Sequence, residues 1–189
     1  LSGEALISVG MTEPDAGSAV TELRSHVTRD GNGWRLNGTK VFNTHIPHAA
    51  YMIVYCRFGP GTHGIGSVLI DTRAEGVRFG KPVSYMSGEK WTQIYFDNTF
   101  VPDDQVILGE GGFKKQISGF NVERIGNTAR SLALGRYAYE EARQWALQRE
   151  QFGRPLCEFQ GLQWKFADMK IKLDAAQLLL YRAAVNADK

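Results

Sequence analysis

The feature that most constrains the fold is a change of pattern near Gly109–Gly112. Before it, short runs of β-branched and aromatic residues alternate with Gly, Asn, Asp and Pro, which is typical of strands and tight turns. After it, the chain is rich in Ala, Leu, Arg and Glu and has no proline until Pro155, which indicates long helices. We therefore predict an α+β chain, with a β-domain over residues 1–110 and the start of a helical bundle domain over residues 111–189.

Several segments of the first half carry the strand signature. Because no helical pattern separates them, we expect an antiparallel β-barrel or sandwich. Asp30-Gly31-Asn32-Gly33 supplies the positive φ that a hairpin turn needs, and Asn37-Gly38 predicts a second turn. The predicted strands are Ala5–Val9, Glu22–Thr28, Trp34–Leu36, Lys40–Asn43, Tyr51–Arg57, Gly66–Ile70, Val77–Phe79 and Thr92–Phe96.

Two long helices are predicted in the second half. The first runs from about Phe113 to Arg149, and its internal glycines are expected to permit close packing against a helix or ligand, since each costs about 1 kcal/mol relative to Ala. The second follows Pro155 and carries apolar residues at alternating spacings of three and four, the stripe of a bundle helix. Two helices cannot bury their faces alone, so the four-helix bundle is incomplete. The glycines are Gly119, Gly126 and Gly135, and the stripe is Phe159, Leu162, Phe166, Met169, Leu173, Ala176 and Leu180.

Composition argues against several classes of function. The net charge is +2 and basic residues are scattered, so nucleic-acid binding is not expected. Two cysteines and four histidines without ligand spacing argue against a disulfide framework and a metal site. No apolar run reaches the roughly 20 residues of a membrane span. The first residue is not Met and the last lies within a helical pattern, so we expect a fragment.

Two segments of the first half are candidates for ligand binding. Met11–Ala19 combines a hydroxyl, a Pro-Asp turn and a run of small residues, which offers N–H groups to an oxygen-rich ligand. An ordinary surface turn has the same composition. Thr39–Thr44 reads as a strand whose alternation puts Phe42 and Thr44 on one face, where a flat ring beside a hydroxyl suits a planar heterocycle. An ordinary strand with a core Phe is the alternative.

A third candidate segment begins where the first helix is predicted to end. Arg149 precedes Phe152-Gly153, and Gln160 follows seven residues later. A guanidinium binds phosphate in bidentate fashion, so Arg149 is a candidate anchor for a pyrophosphate. The alternative is an arginine that only stabilises the helix C-terminus.

Taken in order along the chain, these segments resemble the acyl-CoA dehydrogenase family. The resemblance covers essentially the whole chain but about half of the family's usual length. The ordered set is far more specific than any single motif. The motifs are Met11–Ser18, Trp34–Lys40, Phe96-Asp97 with Val101-Pro102, Leu108–Phe113, Glu123-Arg124, and Arg149–Gly153 with Phe159-Gln160.

The resemblance implies that FAD lies in a crevice between the β-domain and the helices. Its flavin ring and pyrophosphate would meet Met11, Thr12, Gly17 and Ser18, with Phe42 against the ring and Thr44 near its N5. The adenosine diphosphate part of an FAD bound by a neighbouring subunit would meet Arg149, Phe152, Phe159 and Gln160, as in a homotetramer or dimer of dimers. Acyl-CoA would border Ser18, Asn121 and Arg124.

The activity that the resemblance implies is α,β-desaturation of an acyl-CoA thioester in fatty acid metabolism. A carboxylate removes the α-proton while the β-hydrogen leaves as hydride to flavin N5, and electrons then pass to an electron-transfer flavoprotein. In most members the base lies beyond residue 189. In a minority it lies at the position of Glu123, which is therefore the catalytic candidate in this chain. The alternative for Glu123 is a structural or CoA-side carboxylate paired with Arg124.

The chain also departs from the family pattern. Ala19 stands where the family usually has Asp, and Phe42 and His45 stand where Trp and Asn are frequent. Two other functions therefore stay open: a flavin-dependent oxidase or monooxygenase of the same fold, and a non-catalytic homologue acting as an assembly subunit. The retained Thr12 and Thr44 argue against the second. We expect the bacterial cytoplasm, with the mitochondrial matrix as the other compartment, and the residues do not specify the acyl group.

Overall fold

The computed structural model describes residues 3–187, which form two compact units that divide after Gln116. We call them the β-unit and the helical unit. The β-unit contains one nine-stranded sheet. Its strands are β1 (Ile7–Gly10), β2 (His26–Asp30), β3 (Gly33–Thr44), β4 (Tyr51–Arg57), β5 (Ile65–Asp71), β6 (Val77–Phe79), β7 (Val83–Ser84), β8 (Lys90–Pro102) and β9 (Val106–Leu108).

The sheet is mixed and open. The strand order is β6-β8-β3-β2-β4-β5-β9, with β1 added on β4 and β7 on β8. Most pairs are antiparallel, but β4 pairs in parallel with both β1 and β2. The predicted α+β class is confirmed, whereas the expected purely antiparallel pairing is corrected to a mixed sheet. Within residues 3–187 the ends of this order, β6 and β9, do not pair, so no closed barrel forms.

The second predicted turn, at Asn37-Gly38, is wrong. Residues 33–44 form one strand, because β8 offers a partner along nearly its whole length. The register shifts between Leu36 and Gly38, where a Cβ on Gly38 would lie 2.2 Å from Ser25 Oγ. The glycine therefore allows a close backbone approach at a β-bulge rather than a chain reversal.

The core of the β-unit is aliphatic and lies against β3, β4, β5 and β8. A fully buried lysine, Lys40, is the largest side chain with almost no exposure. This charge inside an apolar unit is the main exception to its hydrophobic pattern. The buried cluster is Val27, Leu36, Ile46, Ala49, Met52, Val54, Cys56, Val68, Ile70, Ile94, Phe96 and Val101.

The helical part of the chain contains α1 (Phe113–Ser118), α2 (Phe120–Gln148) and α3 (Gln160–Val185), with a short hairpin of β10 (Glu150–Gln151) and β11 (Arg154–Pro155) before α3. The single helix predicted from Phe113 is thus interrupted at Gly119. No helix within residues 3–187 has both the length and the apolar character that crossing a bilayer requires.

Packing between α2 and α3 uses the predicted stripe. The Tyr139 and Phe166 rings meet edge to face with centroids 5.8 Å apart. A Cβ on Gly135 would lie 3.1 Å from Leu173 Cδ2, so this glycine permits a close approach of the two helices. Gly126 has no atom of the described residues within 4 Å of its Cβ position, so no helix packs closely there, and close packing against a ligand stays a prediction.

Candidate functional site

The loop after β1 is held in a defined shape by backbone hydrogen bonds. Glu13 and Ala16 each donate an N–H to the other's carbonyl, at 3.0 and 3.2 Å, around the Pro14-Asp15 turn. The Thr12 carbonyl accepts from the Val41 N–H of β3 at 2.9 Å. Predicted site residues Met11 and Thr12 are half-buried in this loop, and Gly17 and Ser18, which follow it, are exposed.

A buried ion pair lies beneath this loop. Lys40 Nζ donates to Glu13 Oε1 at 2.7 Å and to the Met11 carbonyl at 3.1 Å. The Glu13 carboxylate also accepts the backbone N–H groups of Arg24, at 2.6 Å, and Ser25, at 3.0 Å. The Lys40 side chain is fully buried and that of Glu13 is 6% exposed. Every oxygen and nitrogen of the pair therefore has a partner, as charges away from water require.

The surroundings of the pair shift the pKa of both side chains. Burial raises the pKa of Glu13, but the hydrogen bond and charge of Lys40 and the N–H of Arg24 outweigh it and hold that pKa below its ordinary value of 4.5. Burial lowers the pKa of Lys40 from its ordinary 10.5, and Glu13 offsets only part of that effect. Because Lys40, Arg24 and Ser25 engage both Glu13 oxygens and the side chain is buried, this carboxylate supports the loop.

Phe42 lies in a β-bulge two residues further along β3. The register with β8 shifts between Lys40 and Asn43, which adds one residue to β3. Phe42 has a φ of +58°, and its side chain is 56% exposed. Trp91 packs against its ring with centroids 4.6 Å apart. The bulge thus turns an aromatic ring outward on a second aromatic support, and half-buried Thr44 ends the same strand.

The second predicted cluster lies in the helical unit, on the β10–β11 hairpin. Arg149 is exposed directly after α2, and its carbonyl accepts the Leu156 N–H at 2.8 Å. Phe152 and Gly153 form the two-residue loop, with φ of +53° and +77° as a type I′ turn requires. The Phe152 side chain is 93% exposed at the tip.

The hairpin brings Phe152, Phe159 and Arg154 together. The two rings have centroids 6.3 Å apart, and the Arg154 guanidinium lies 4.2 Å from the centre of the Phe159 ring. Gln160, the first residue of α3, is exposed next to them. Rings and a guanidinium in one cluster suit a heteroaromatic base and a phosphate.

The third predicted group lies at the start of α2. The Arg124 Nη1 donates to Asn121 Oδ1 at 3.1 Å, one helical turn apart. The structure thus brings the two predicted acyl-CoA residues together. Glu123 lies between them in sequence and is exposed.

Two of these groups, the one around Phe42 and the one around Phe152, contain residues with positive φ. Four non-glycine residues in the described chain have positive φ, namely Phe42, His45, Asn98 and Phe152. A bulky residue in this region costs free energy and persists where surrounding structure imposes it, often at binding sites. Three of the four lie at or beside predicted cofactor residues, and two of these present exposed aromatic rings.

These residues fit the flavin nucleotide that the resemblance implies. A planar heterocycle needs a flat apolar surface with polar groups at its edge, and the β-unit offers the outward Phe42 ring with Thr44 on the same strand. The phosphate and base need a cation and aromatic faces, which the hairpin cluster supplies. No group of His, Cys, Asp or Glu in the described chain is arranged to hold a metal ion.

Sequence reasoning missed three residues of these sites. Trp91 supports Phe42 from β8, Arg154 lies on Phe159, and Lys40 pairs with Glu13. The contact of Arg154 had a local signal, since it follows Phe152-Gly153 directly. Trp91 reaches Phe42 through the pairing of β3 with β8. Lys40 reaches Glu13, 27 residues away, because the loop after β1 lies against β3.

Two family models match this chain. Residues 8–99 match the family model "Acyl-CoA dehydrogenase, middle domain", and residues 110–189 match "Acyl-CoA dehydrogenase, C-terminal domain". A 3-(aryl)acrylate reductase of Clostridium sporogenes is 38% identical over 194 residues, which cover 100% of this chain and 51% of that protein. An acyl-CoA dehydrogenase of Bacillus subtilis is 36% identical, over 97% of this chain and 50% of that protein.

A solved structure shares the fold. Butyryl-CoA dehydrogenase from Megasphaera elsdenii superimposes with a TM-score of 0.91 at 33% identity, over 96% of this chain and 49% of that one. The chain therefore spans about half the length of the relatives it matches.

Proposed function

The chain belongs to the acyl-CoA dehydrogenase family, and on that premise we propose that the protein is an FAD-dependent acyl-CoA dehydrogenase. The reaction is α,β-desaturation of an acyl-CoA thioester. The observation that carries the proposal is the Phe42 bulge, where a strained backbone holds an aromatic ring out of the β-unit. Such a ring costs free energy in the free protein, and a bound planar ring would cover it.

FAD would be held by residues of both units. In the β-unit, Met11, Thr12, Gly17, Ser18, Phe42 and Thr44 would contact the flavin end. In the helical unit, Arg149, Phe152, Phe159 and Gln160 would contact the adenosine diphosphate end of an FAD bound by a neighbouring subunit, which makes a homotetramer part of the proposal. We include Arg154 in this second set, because its guanidinium lies 4.2 Å from the centre of the Phe159 ring. We also propose that the boundary between the flavin-binding β-domain and the helical bundle domain lies after residue 110.

The protein's own groups would bind and orient the thioester. Asn121 and Arg124, hydrogen-bonded to each other, would contact the pantetheine chain, and Ser18 would border the acyl-CoA. A carboxylate must take the α-proton, and Glu123 is the candidate within this chain, beside a base that most family members place beyond residue 189. When bound, FAD supplies the acceptor for the β-hydrogen and its electron pair.

A second direction of the same chemistry is favoured by one relative. The protein that is 38% identical to this chain is a 3-(aryl)acrylate reductase. Reduction is the reverse of desaturation: the β-carbon gains hydrogen with its electron pair and the α-carbon gains a proton. The same binding residues would serve both directions. Titration with several acyl-CoAs therefore decides the acyl group and the direction of the reaction.

Partners and location follow from the proposed reaction. Electrons leaving the reduced cofactor would pass to an electron-transfer flavoprotein, and a role in fatty acid metabolism fits an acyl-CoA substrate. The bacterial cytoplasm is the proposed compartment, ahead of the mitochondrial matrix.

The test is a visible spectrum of the full-length protein, recorded anaerobically before and after additions of butyryl-CoA, longer acyl-CoAs and a 3-arylpropanoyl-CoA. We expect flavin bands at about 370 and 450 nm that bleach with one class of acyl-CoA. A flavin that bleaches and then recovers at once in air, with oxygen consumed, would instead identify an oxidase. A protein that keeps no flavin after reconstitution with FAD would contradict the proposal and favour an assembly subunit.

A further inference from the structure

Burying the Lys40–Glu13 pair carries a large desolvation cost. Both side chains are almost completely removed from water. The desolvation of two charges offsets most of their attraction, so apolar residues of similar size often stabilise a core equally well. Stability alone therefore does not explain why two charges occupy this position.

The pair instead fixes one stretch of chain at successive residues. Lys40 Nζ holds the Met11 carbonyl, the Val41 N–H holds the Thr12 carbonyl, and Lys40 Nζ holds the Glu13 carboxylate. The same carboxylate is bonded to the backbone of Arg24 and Ser25, at 2.6 and 3.0 Å. Three segments that are distant in sequence are thereby joined at one point, and hydrogen bonds to charged groups make that joint strong.

Neighbouring residues leave room for this arrangement. A Cβ on Gly10 would lie 2.1 Å from Met52 Cε and 3.2 Å from Lys40 Cγ. The absence of a side chain at Gly10 therefore lets the lysine stem pass close to the end of β1. A larger residue at this position would displace the Met52 methyl group and crowd the lysine stem.

The pair also adjoins the Phe42 bulge. Lys40 and Asn43, the buried residues on either side of the register shift, are both anchored, and Asn43 Nδ2 donates to the Thr92 carbonyl at 3.2 Å. Phe42 between them is exposed. One lysine thus fixes both the Met11–Thr12 loop and the near end of the bulge that presents the ring.

We propose that the Lys40–Glu13 pair is a positioning device that sets the Met11–Thr12 loop against the Phe42 bulge, so that both contact the same FAD. This inference rests on the proposed function. Neither charged group touches the cofactor in this role. They act through the Met11 and Thr12 backbone and through the strand that carries Phe42.

The test separates positioning from stability in the full-length protein. The variants are Lys40→Met, Glu13→Gln and the double variant, which removes both charges and keeps the volumes. Each single variant leaves one buried charge without its partner and is expected to melt at a lower temperature. The double variant recovers most of that loss, but Met cannot donate to the Met11 carbonyl. We therefore expect its FAD dissociation constant to remain about tenfold or more above wild type.

Two further readouts complete the design. In the FAD-free protein, hydrogen exchange at the Val41 amide is expected to be faster in the double variant than in wild type, whereas exchange along β5 stays unchanged. The matched control removes the exposed pair Arg78–Asp97, 3.2 Å apart, as Arg78→Met with Asp97→Asn. It should leave melting, FAD affinity and Val41 exchange unchanged, since exposed pairs contribute little.

The outcomes are distinct. A double variant that binds FAD as wild type does, with unchanged Val41 exchange, overturns the positioning role and leaves the proposed function intact. A wild-type protein that binds no FAD overturns the proposed function, and the positioning role with it. Weakened FAD binding in a double variant of normal stability supports the inference.

Discussion

Glu13 shows how one residue can have a chemical group of catalytic type without a catalytic role. Its two carboxylate oxygens accept from Lys40, Arg24 and Ser25, and its side chain is buried beneath the Met11–Thr12 loop. These donors stabilise the ionised form, so the group stays charged at neutral pH. At this scale the structure places Glu13 beneath the loop as a support. The assignment of exposed Glu123 as the base of the chain stays a prediction.

The lowered pKa of Glu13 predicts an acid-sensitive contribution to stability. Its folded-state pKa lies below the ordinary 4.5, so the unfolded chain binds the proton first as pH falls. The contribution is therefore fully present above pH 4.5 and is lost as pH falls through the folded-state pKa. In Glu13→Gln this contribution is absent. We expect the difference in free energy of unfolding between wild type and Glu13→Gln to shrink steadily below pH 4.5, measured by urea unfolding.

Asp97→Asn removes an exposed carboxylate and serves as the control for that series. Its difference from wild type should stay small at every pH, because an exposed pair contributes about 0–1 kcal/mol. A difference for Glu13→Gln that is the same at pH 7 and pH 3 would contradict the account of Glu13.

Phe42 carries a second prediction at the residue scale. Phe42→Asn removes the ring but suits the positive φ, since Asn tolerates the left-handed region. Relief of strain offsets the lost contact with Trp91, so we expect stability to change by less than about 1 kcal/mol. Loss of the stacking surface should weaken FAD binding roughly two- to tenfold. Fluorescence titration with FAD and thermal melting measure the two effects.

Phe79→Asn is the matched control for Phe42→Asn. Phe79 is also an exposed phenylalanine of the β-unit, 46% exposed on β6, and has no positive φ. The Phe79→Asn protein should have a less stable β6 and the FAD affinity of wild type. Equal FAD affinities for wild type and Phe42→Asn would show that the ring does not lie against the cofactor.

At the scale of elements, the β10–β11 hairpin depends on the conformation of its two-residue loop. Gly153 has a φ of +77° and no atom within 4 Å of its Cβ position. Any cost of Gly153→Ala therefore comes from the backbone alone. We expect a loss of about 1 kcal/mol, because alanine disfavours positive φ. Chemical denaturation of the FAD-free protein measures it.

Gly161→Ala provides the comparison for the hairpin. Gly161 also has open space at its Cβ position, but it lies in α3 with ordinary helical φ. Alanine there should be neutral or stabilising, by up to about 1 kcal/mol. If both variants changed stability alike, the loop conformation would not be what Gly153 contributes.

At the scale of the whole molecule, the two units differ in how much core they contain. The buried hydrophobic residues of the helical unit are Leu132, Ala146 and Leu180, while the β-unit has a cluster of twelve. We predict that residues 3–116 alone unfold in one cooperative transition and that residues 117–187 alone do not. Circular dichroism melts of the two pieces test this, since a small core cannot offset the entropy of ordering two long helices. A sharp melt of the helical piece at micromolar concentration would contradict it.

Local patterns predicted much of the fold. The observed bounds of β4 and β6 are those that alternation and turn residues predict. The end of α2 and the start of α3 lie close to the Arg, Phe-Gly and Pro signals around residues 149–155. Strands β7 and β9 were missed, although β6 is as short as β9 and was predicted. Each missed strand forms by pairing with a longer strand, β7 with β8 and β9 with β5, and that partner is not visible in the local pattern.

By itself, the sequence determined the change from strands to helices, the order of the family motifs, and the residue types at each candidate site. Those features depend on neighbours within a few positions, where propensity and spacing act directly. Only the tertiary structure decided that Lys40 meets Glu13, that Asn37-Gly38 continues a strand, and that Phe42 turns outward onto Trp91. Each of these depends on contacts between segments that are far apart in sequence, up to about sixty residues for the pairing of β3 with β8 around Gly38. In that pairing a register shift by one residue reverses which side chains are buried.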